Sequence, residues 1–144
     1  MNRITNEIII RATPEKIFST VSHLGNWPVI LPHYRWIQPL PDGSVRMAAH
    51  RGSIPIRWTS HFHADPEKKE LYFEHLKALT RGMKVHWRIE PINEFESRVV
   101  IEHDLSAVRK RFGGFLSEKI IGRFFIDHVA RKTLANFKKH IEKK

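Results

Sequence analysis

No cysteine occurs in the 144 residues, which excludes a disulfide framework, a thiolate metal site and a cysteine nucleophile together. There is also no run of the roughly 18 uncharged apolar residues that a membrane-spanning helix needs. The opening MNRITNEIIIRATPEK lacks the long apolar core of a secretory signal, so a cytoplasmic location is the expectation. Glycine-rich phosphate loops, G-x-S-x-G and H-E-x-x-H are missing, and with them the motifs of NTPases, serine hydrolases and zincins. His61 and His63 stand two apart with no third ligand at an evident spacing, so neither a metal nor another cofactor is expected. Acidic residues are scarce: 15 Asp and Glu stand against 25 Lys and Arg, a formal charge of +10. That balance suits a negative partner or surface. The cations are spread along the chain, densest at 109–111 and 137–144, with no nucleic-acid motif beside them, so nucleic acid is not the expected partner.

What is present is enough apolar material for one core: 41% of the side chains are hydrophobic, and the length fits a single domain spanning 1–144. TNEIIIRAT, 5–13, alternates and is β-branched, a first strand. Thr13-Pro14-Glu15-Lys16 then follows the N-cap and Pro-at-N1 pattern, and Ile17, Phe18, Val21 and Leu24 recur at helical spacing. The helix ends near Gly25. In the next segment, GNWPVILPHYRW, Pro28 and Pro32 forbid one regular helix, so its aromatic and apolar side chains read as a loop or broken helical turn covering something apolar.

After the cover the hydrophobic period changes from 3.6 to 2, and five or more antiparallel strands follow, separated by PDG, RGS, DPEKK and PINEFES. In IPIRWTSHFHA, alternation puts Ile54, Ile56, Trp58, Ser60 and Phe62 on one face and Arg57, Thr59, His61 and His63 on the other. Met83, Val85, Trp87 and Ile89 share an inward face in GMKVHWRIE, as do Val99, Ile101, His103 and Leu105 in SRVVIEHDL. From about Phe115 to Lys144 a long helix carries the stripe Ile126, Val129, Ala130, Thr133, Leu134, Phe137 and Ile141. Upstream, Leu116, Ile120, Ile121, Phe124 and Phe125 lie off that axis. The helix is therefore expected to bend or break around Gly122, or to offer a second apolar surface. The order is α+β, a curved antiparallel sheet gripping a long C-terminal helix.

EIIIRATPEKIFSTVSHLGNWPVILPHYRWI, IRWTSHF, GMKVHWRIEP and SRVVIEHDL, in that order and followed by a long helix, resemble the polyketide cyclase/dehydrase and lipid-transport family of START-like (SRPBCC) helix-grip proteins. The resemblance covers essentially the whole chain and implies a deep, largely apolar cavity between sheet and C-terminal helix. Trp27, Leu31 and Tyr34 from the cover are then candidate ligand contacts. So are Met47, Ile56, Trp58, Ser60 and Phe62, and beyond them Met83, Val85, Trp87, Ile101 and His103. Tyr34 and His103 are the candidate catalytic pair, since a phenol and an imidazole inside an apolar pocket can move a proton or hold a ligand oxygen. In the cyclase branch the resemblance implies a tyrosine after the cover and two inward arginines. Tyr34 matches the tyrosine, while Phe62 and Glu74 stand at or near the arginine positions.

The expected function is binding or transport of a hydrophobic small molecule such as a polyketide, quinone, lipid or isoprenoid. The alternative is a cofactor-independent cyclase or dehydratase acting by general acid/base catalysis. A third class is a basic protein docking on a membrane or ribonucleoprotein. For that class, RKRFGGFLSEKIIGRFF, 109–125, mixes cations and bulky apolar residues as an anionic membrane surface would require.

Overall fold

Each alternating run becomes a strand in the computed structural model, which describes residues 3–77 and 79–143. β1 (Arg3–Ile10) leads into α1 (Pro14–Val21), one 3-10 turn (Leu24–Asn26) and α2 (Trp27–Ile30). Six strands follow: β2 (Tyr34–Pro39), β3 (Val45–Arg51), β4 (Ile54–Asp65), β5 (Glu70–His75), β6 (Lys84–Pro91) and β7 (Ser97–Asp104). All seven form one open antiparallel sheet in the order β1-β7-β6-β5-β4-β3-β2, a meander whose last strand pairs with the first. A 37-residue helical run closes the chain, made of α3 (Ser106–Phe115), a π-helical stretch (Leu116–Asp127) and α4 (His128–Glu142). This is the helix-grip arrangement.

Local chemistry accounts for the boundaries. β1 stops at Ile10, short of the sequence expectation, because Thr13 turns to cap α1: its hydroxyl accepts from the Lys16 N–H at 3.3 Å, with Pro14 at the first helical position. α1 buries Ile17 and Val21. The cover is the broken helix that two prolines demand, with Leu24, Trp27 and Leu31 buried and Val29 left 86% exposed. The Trp27 indole N–H donates to the carbonyl of Val21 at 3.0 Å, tying cover to α1. Lys144, to which the sequence extends the last helix, lies outside the described residues.

α4 lies against the sheet through Ala130, Thr133, Leu134, Phe137 and Ile141, all buried. Polar contacts fix it to the β1 edge. Asn6 donates to Asp127 at 2.8 Å, the Arg11 N–H to Glu142 at 2.8 Å, and the Lys138 ammonium to the Ile9 carbonyl at 2.7 Å. The break expected at Gly122 falls elsewhere. Gly113, at φ +79 and ψ 174, interrupts the run, and the turns widen from Leu116 onward. Gly122 serves a close approach instead: a Cβ there would stand 2.8 Å from the Ile4 side chain and 2.9 Å from the Ser117 carbonyl. No described helix is long and apolar enough to cross a membrane.

Candidate functional site

Between the concave face of the sheet and the helical run lies a cavity of about 280 Å³. The cover contributes Trp27 and Tyr34, β3 contributes Met47, and β4 contributes Ile56 and Trp58. Phe73 and His75 come from β5, Val85 and Trp87 from β6 with Met83 just before it, and Ile101 and His103 from β7. The helical run closes the opposite wall with Ile121, Phe125, Ile126, Val129, Ala130 and Thr133. Exposed Pro55, Arg57 and Leu79 mark the side on which the wall meets solvent.

The aromatic wall is built on Trp27. Its ring stands 5.3 Å from that of Tyr34, 5.5 Å from Trp87 and 5.6 Å from Phe137, in tilted or edge-on geometry. Trp58 stacks on the imidazole of His75 at 5.8 Å and 6°. Among the described residues the inner wall carries no fixed charge, since Arg57, the one permanently charged residue among them that lines it, sits at the exposed rim.

Three histidines are held neutral. Burial lowers His103 to about 4 and His75 to about 3, with the nearby His103 adding to the shift of His75. His75 Nδ1 lies 2.7 Å from the Thr80 hydroxyl. The His103 imidazole makes no hydrogen bond among the described residues, and its Nδ1 is sealed without a partner. His33, also lowered to about 4 by burial, lies behind the cover with Nε2 2.9 Å from the Thr133 hydroxyl. Burial pushes the Tyr34 phenol upward, opposed in part by Thr133. Inside the Arg57 rim the cavity is thus an apolar box whose polar groups, among the described residues, are uncharged donors and acceptors at neutral pH.

Most of the candidate contacts meet here, but Leu31, Ser60 and Phe62 do not border the cavity. Leu31 is fully buried in the core behind the cover. Ser60 has the expected inward parity, yet its short side chain is wholly buried beside His75, its partner on β5, and its hydroxyl has no hydrogen-bond partner among the described residues. Phe62 packs on Phe73 at 4.9 Å, and it is Phe73 that forms the wall. Phe73, His75 and Thr80 line the cavity without having been singled out in the sequence, and Ile121, Phe125 and the stripe residues Ile126, Val129, Ala130 and Thr133 line it although they were read only as helix faces. For the first two the signal was in ELYFEHL, where Leu71, Phe73 and His75 are buried and Tyr72 and Glu74 are less so. His61 is exposed and His63 stacks on Tyr72, outside the cavity. Among the described residues no group of three or more His, Asp or Glu gathers as metal ligands would.

The family model for polyketide cyclase / dehydrase and lipid transport matches residues 1–142. The chain belongs to that family. No curated protein sequence matches it. Solved structures similar to this member include the Zhui aromatase/cyclase from Streptomyces sp. R1128, at TM-score 0.82 and 14% identity over 97% of this chain and 93% of that one. The di-domain ARO/CYC BexL from the BE-7585A biosynthetic pathway aligns at TM-score 0.79 and 24% identity, covering 99% of this chain. This family member spans about half of BexL, 47% of its length. A START superfamily protein from Mycobacterium smegmatis aligns at TM-score 0.74 and 14% identity over 96% of this chain and 98% of that one. At these identities the likeness is one of fold.

Proposed function

We propose that the protein binds or carries an uncharged hydrophobic small molecule of the polyketide, quinone, lipid or isoprenoid type in the cavity between sheet and helix. The observation that carries this reading is the wall itself: Trp27, Trp58, Trp87 and Phe73 around about 280 Å³, with no buried charge among the described residues. Such a surface offers van der Waals contact and flat aromatic faces, while a carboxylate placed there would meet no cation to offset its desolvation. Neutral His103 and His75 can supply one or two hydrogen bonds to a carbonyl or hydroxyl of the ligand. The test is titration with an apolar fluorescent probe while tryptophan emission is followed. Quenching at micromolar probe that weakens in Trp58→Ala and persists in Trp36→Ala supports the reading. Absence of binding, or loss only by unfolding, makes the aromatic wall plain core packing.

Tyr34 and His103 both reach the cavity wall, and His103 has unspent hydrogen-bonding capacity. That favours a second reading, acid/base catalysis of a cyclase or dehydratase type, with the imidazole taking a proton and the phenol donating to a developing oxyanion. Weighing against it, Phe62 packs on Phe73, Glu74 faces solvent, and the arginine on the wall is at the rim. With a candidate substrate in hand, His103→Gln and Tyr34→Phe should lower turnover by about 10²-fold or more while probe affinity stays within a few-fold. Equal loss of both would make these groups positioning residues only.

A further inference from the structure

The stretch from Ser106 to Asp127 is apolar on two sides. Ser117, Ile121, Gly122 and Ile126 are buried against the fold, while Phe115 (74% exposed), Leu116, Ile120 and Phe124 face outward. Leu116, Ile120 and Phe124 recur every four residues, and all three are exposed. A surface helix ordinarily turns polar groups to water on its free side. This one turns aromatic and aliphatic groups outward and puts its cations between them. Arg109, Lys110, Arg111, Lys119 and Arg123 lie along the stretch, and Arg51 sits over the Phe124 ring at 4.3 Å. None of these six makes an ion pair among the described residues. The acids Glu7, Glu90, Glu102, Asp127 and Glu142 are each paired with Arg or Lys elsewhere.

The row adjoins the cavity. Phe124 packs edge-on against Phe125 of the cavity wall at 4.8 Å, and the Arg111 guanidinium donates at 3.0 Å to the carbonyl of Leu79 at the rim. Two identical copies meeting here would oppose cation to cation. A partner has to be negative and able to take up bulky apolar side chains along a flat row, which describes the interface of an anionic bilayer. We propose that the outer side of residues 109–124, with Arg51, docks on an anionic membrane surface and places the cavity mouth against it. The path this gives to a water-insoluble cargo rests on the ligand-binding reading above; the docking itself does not.

Co-sedimentation with phosphatidylcholine vesicles, with and without phosphatidylglycerol, tests it in the intact chain. Binding is expected only with phosphatidylglycerol, and it should weaken as salt is raised. A basic residue near such a surface is worth about fivefold in partitioning, so Lys110→Glu with Lys119→Glu should reduce binding by roughly 25-fold or more. Phe115→Ser with Ile120→Ser should reduce it while leaving the charge unchanged. All four residues are exposed and none borders the cavity, so both double variants should keep wild-type circular dichroism and probe quenching. Equal binding to neutral vesicles, no binding to anionic vesicles at low salt, or indifference to both double variants overturns the docking. Probe quenching is read separately: its absence in the wild type with vesicle binding intact sinks the cavity reading and not this one.

Discussion

The C-terminal helical run is one continuous element with two unlike halves. α4 is regular, keeps a single apolar stripe that is buried at Ala130, Thr133, Leu134, Phe137 and Ile141, and is tied to β1 and the residue after it through Lys138 and Glu142. The Ser106–Asp127 half contains a left-handed glycine, wide turns, apolar residues on both sides and cations without acidic partners. Both halves wall the same cavity, so the contrast is not one of inside against outside. α4 supplies the contacts that hold the fold, and the first half borders the place where a ligand would enter. With its left-handed glycine and wide turns, Ser106–Asp127 is the half expected to open locally first.

Acid should break the comparison most severely, because it attacks both halves. His33 lies beneath α4, and His75 and His103 lie beneath the cavity. In the unfolded chain each takes a proton near its ordinary value of about 6.5, whereas in the fold none does until about 4 or below. The unfolded state therefore binds more protons in this window. Stability is full above pH about 6.5 and falls as pH drops, by up to about 1.4 kcal/mol per pH unit for each histidine. Asp42, Asp104, Glu70 and Glu142, whose folded values are lowered, add losses in the same direction at lower pH. His128, lowered mainly by burial, adds to the same slope. Urea midpoints between neutral pH and about pH 5 should show the slope, and His33→Gln or His103→Gln should each reduce it. A slope untouched by either variant would mean these imidazoles titrate freely.

Next in size, Phe137→Ala, at a wholly buried site of α4, should cost about 3–5 kcal/mol, whereas Phe115→Ala should change stability by less than about 0.5 kcal/mol. Equilibrium urea unfolding of the two variants is the direct comparison, and similar losses would erase the division between the halves. Gly113→Ala forces a side chain onto φ +79, ψ 174, so it should cost about 1–3 kcal/mol and alter the exchange protection of residues 106–127 before that of α4. The smallest effect is expected at the surface. Arg131 pairs with Asp127 at 2.9 Å but is 67% exposed, so Arg131→Ala should cost less than about 1 kcal/mol, and Asn6 would still hold the Asp127 carboxylate.

Strands were legible because alternation is a local signal that the fold leaves intact: Val85, Trp87 and Ile89 are buried as their parity requires. Thr13 and Pro14 announced α1, and the two prolines of the cover announced its broken geometry. Of the two expectations for the region around Gly122, the second apolar surface is present in exposed Leu116, Ile120 and Phe124, while the break is displaced, because a bare apolar pattern does not distinguish a change of face from a widening of turns. Gly122 lies where the pattern shifts, but the backbone departs from helical form at Gly113. Cavity membership was harder to read than burial. Ser60 and Phe62 have the right parity and still miss the space, since what reaches a void depends on side-chain length and on the neighbour that gets there first. His75 escaped notice because a histidine surrounded by Glu70, Tyr72 and Glu74 resembles a wet strand until its face is followed.

The sheet does not close into a barrel, so it has two outer strands with backbone groups that a neighbouring molecule could pair with, the geometry from which fibrils grow. Each is blunted differently. β2 carries a register irregularity between Tyr34 and Trp36 and ends at Pro39, which has no N–H to offer. β1 is screened by α4, whose Lys138 occupies the Ile9 carbonyl and whose Glu142 takes the N–H of Arg11. The final turn of α4 is thereby a guard against runaway self-assembly, and a chain clipped before Lys138 would expose a bare strand as a template for its own kind.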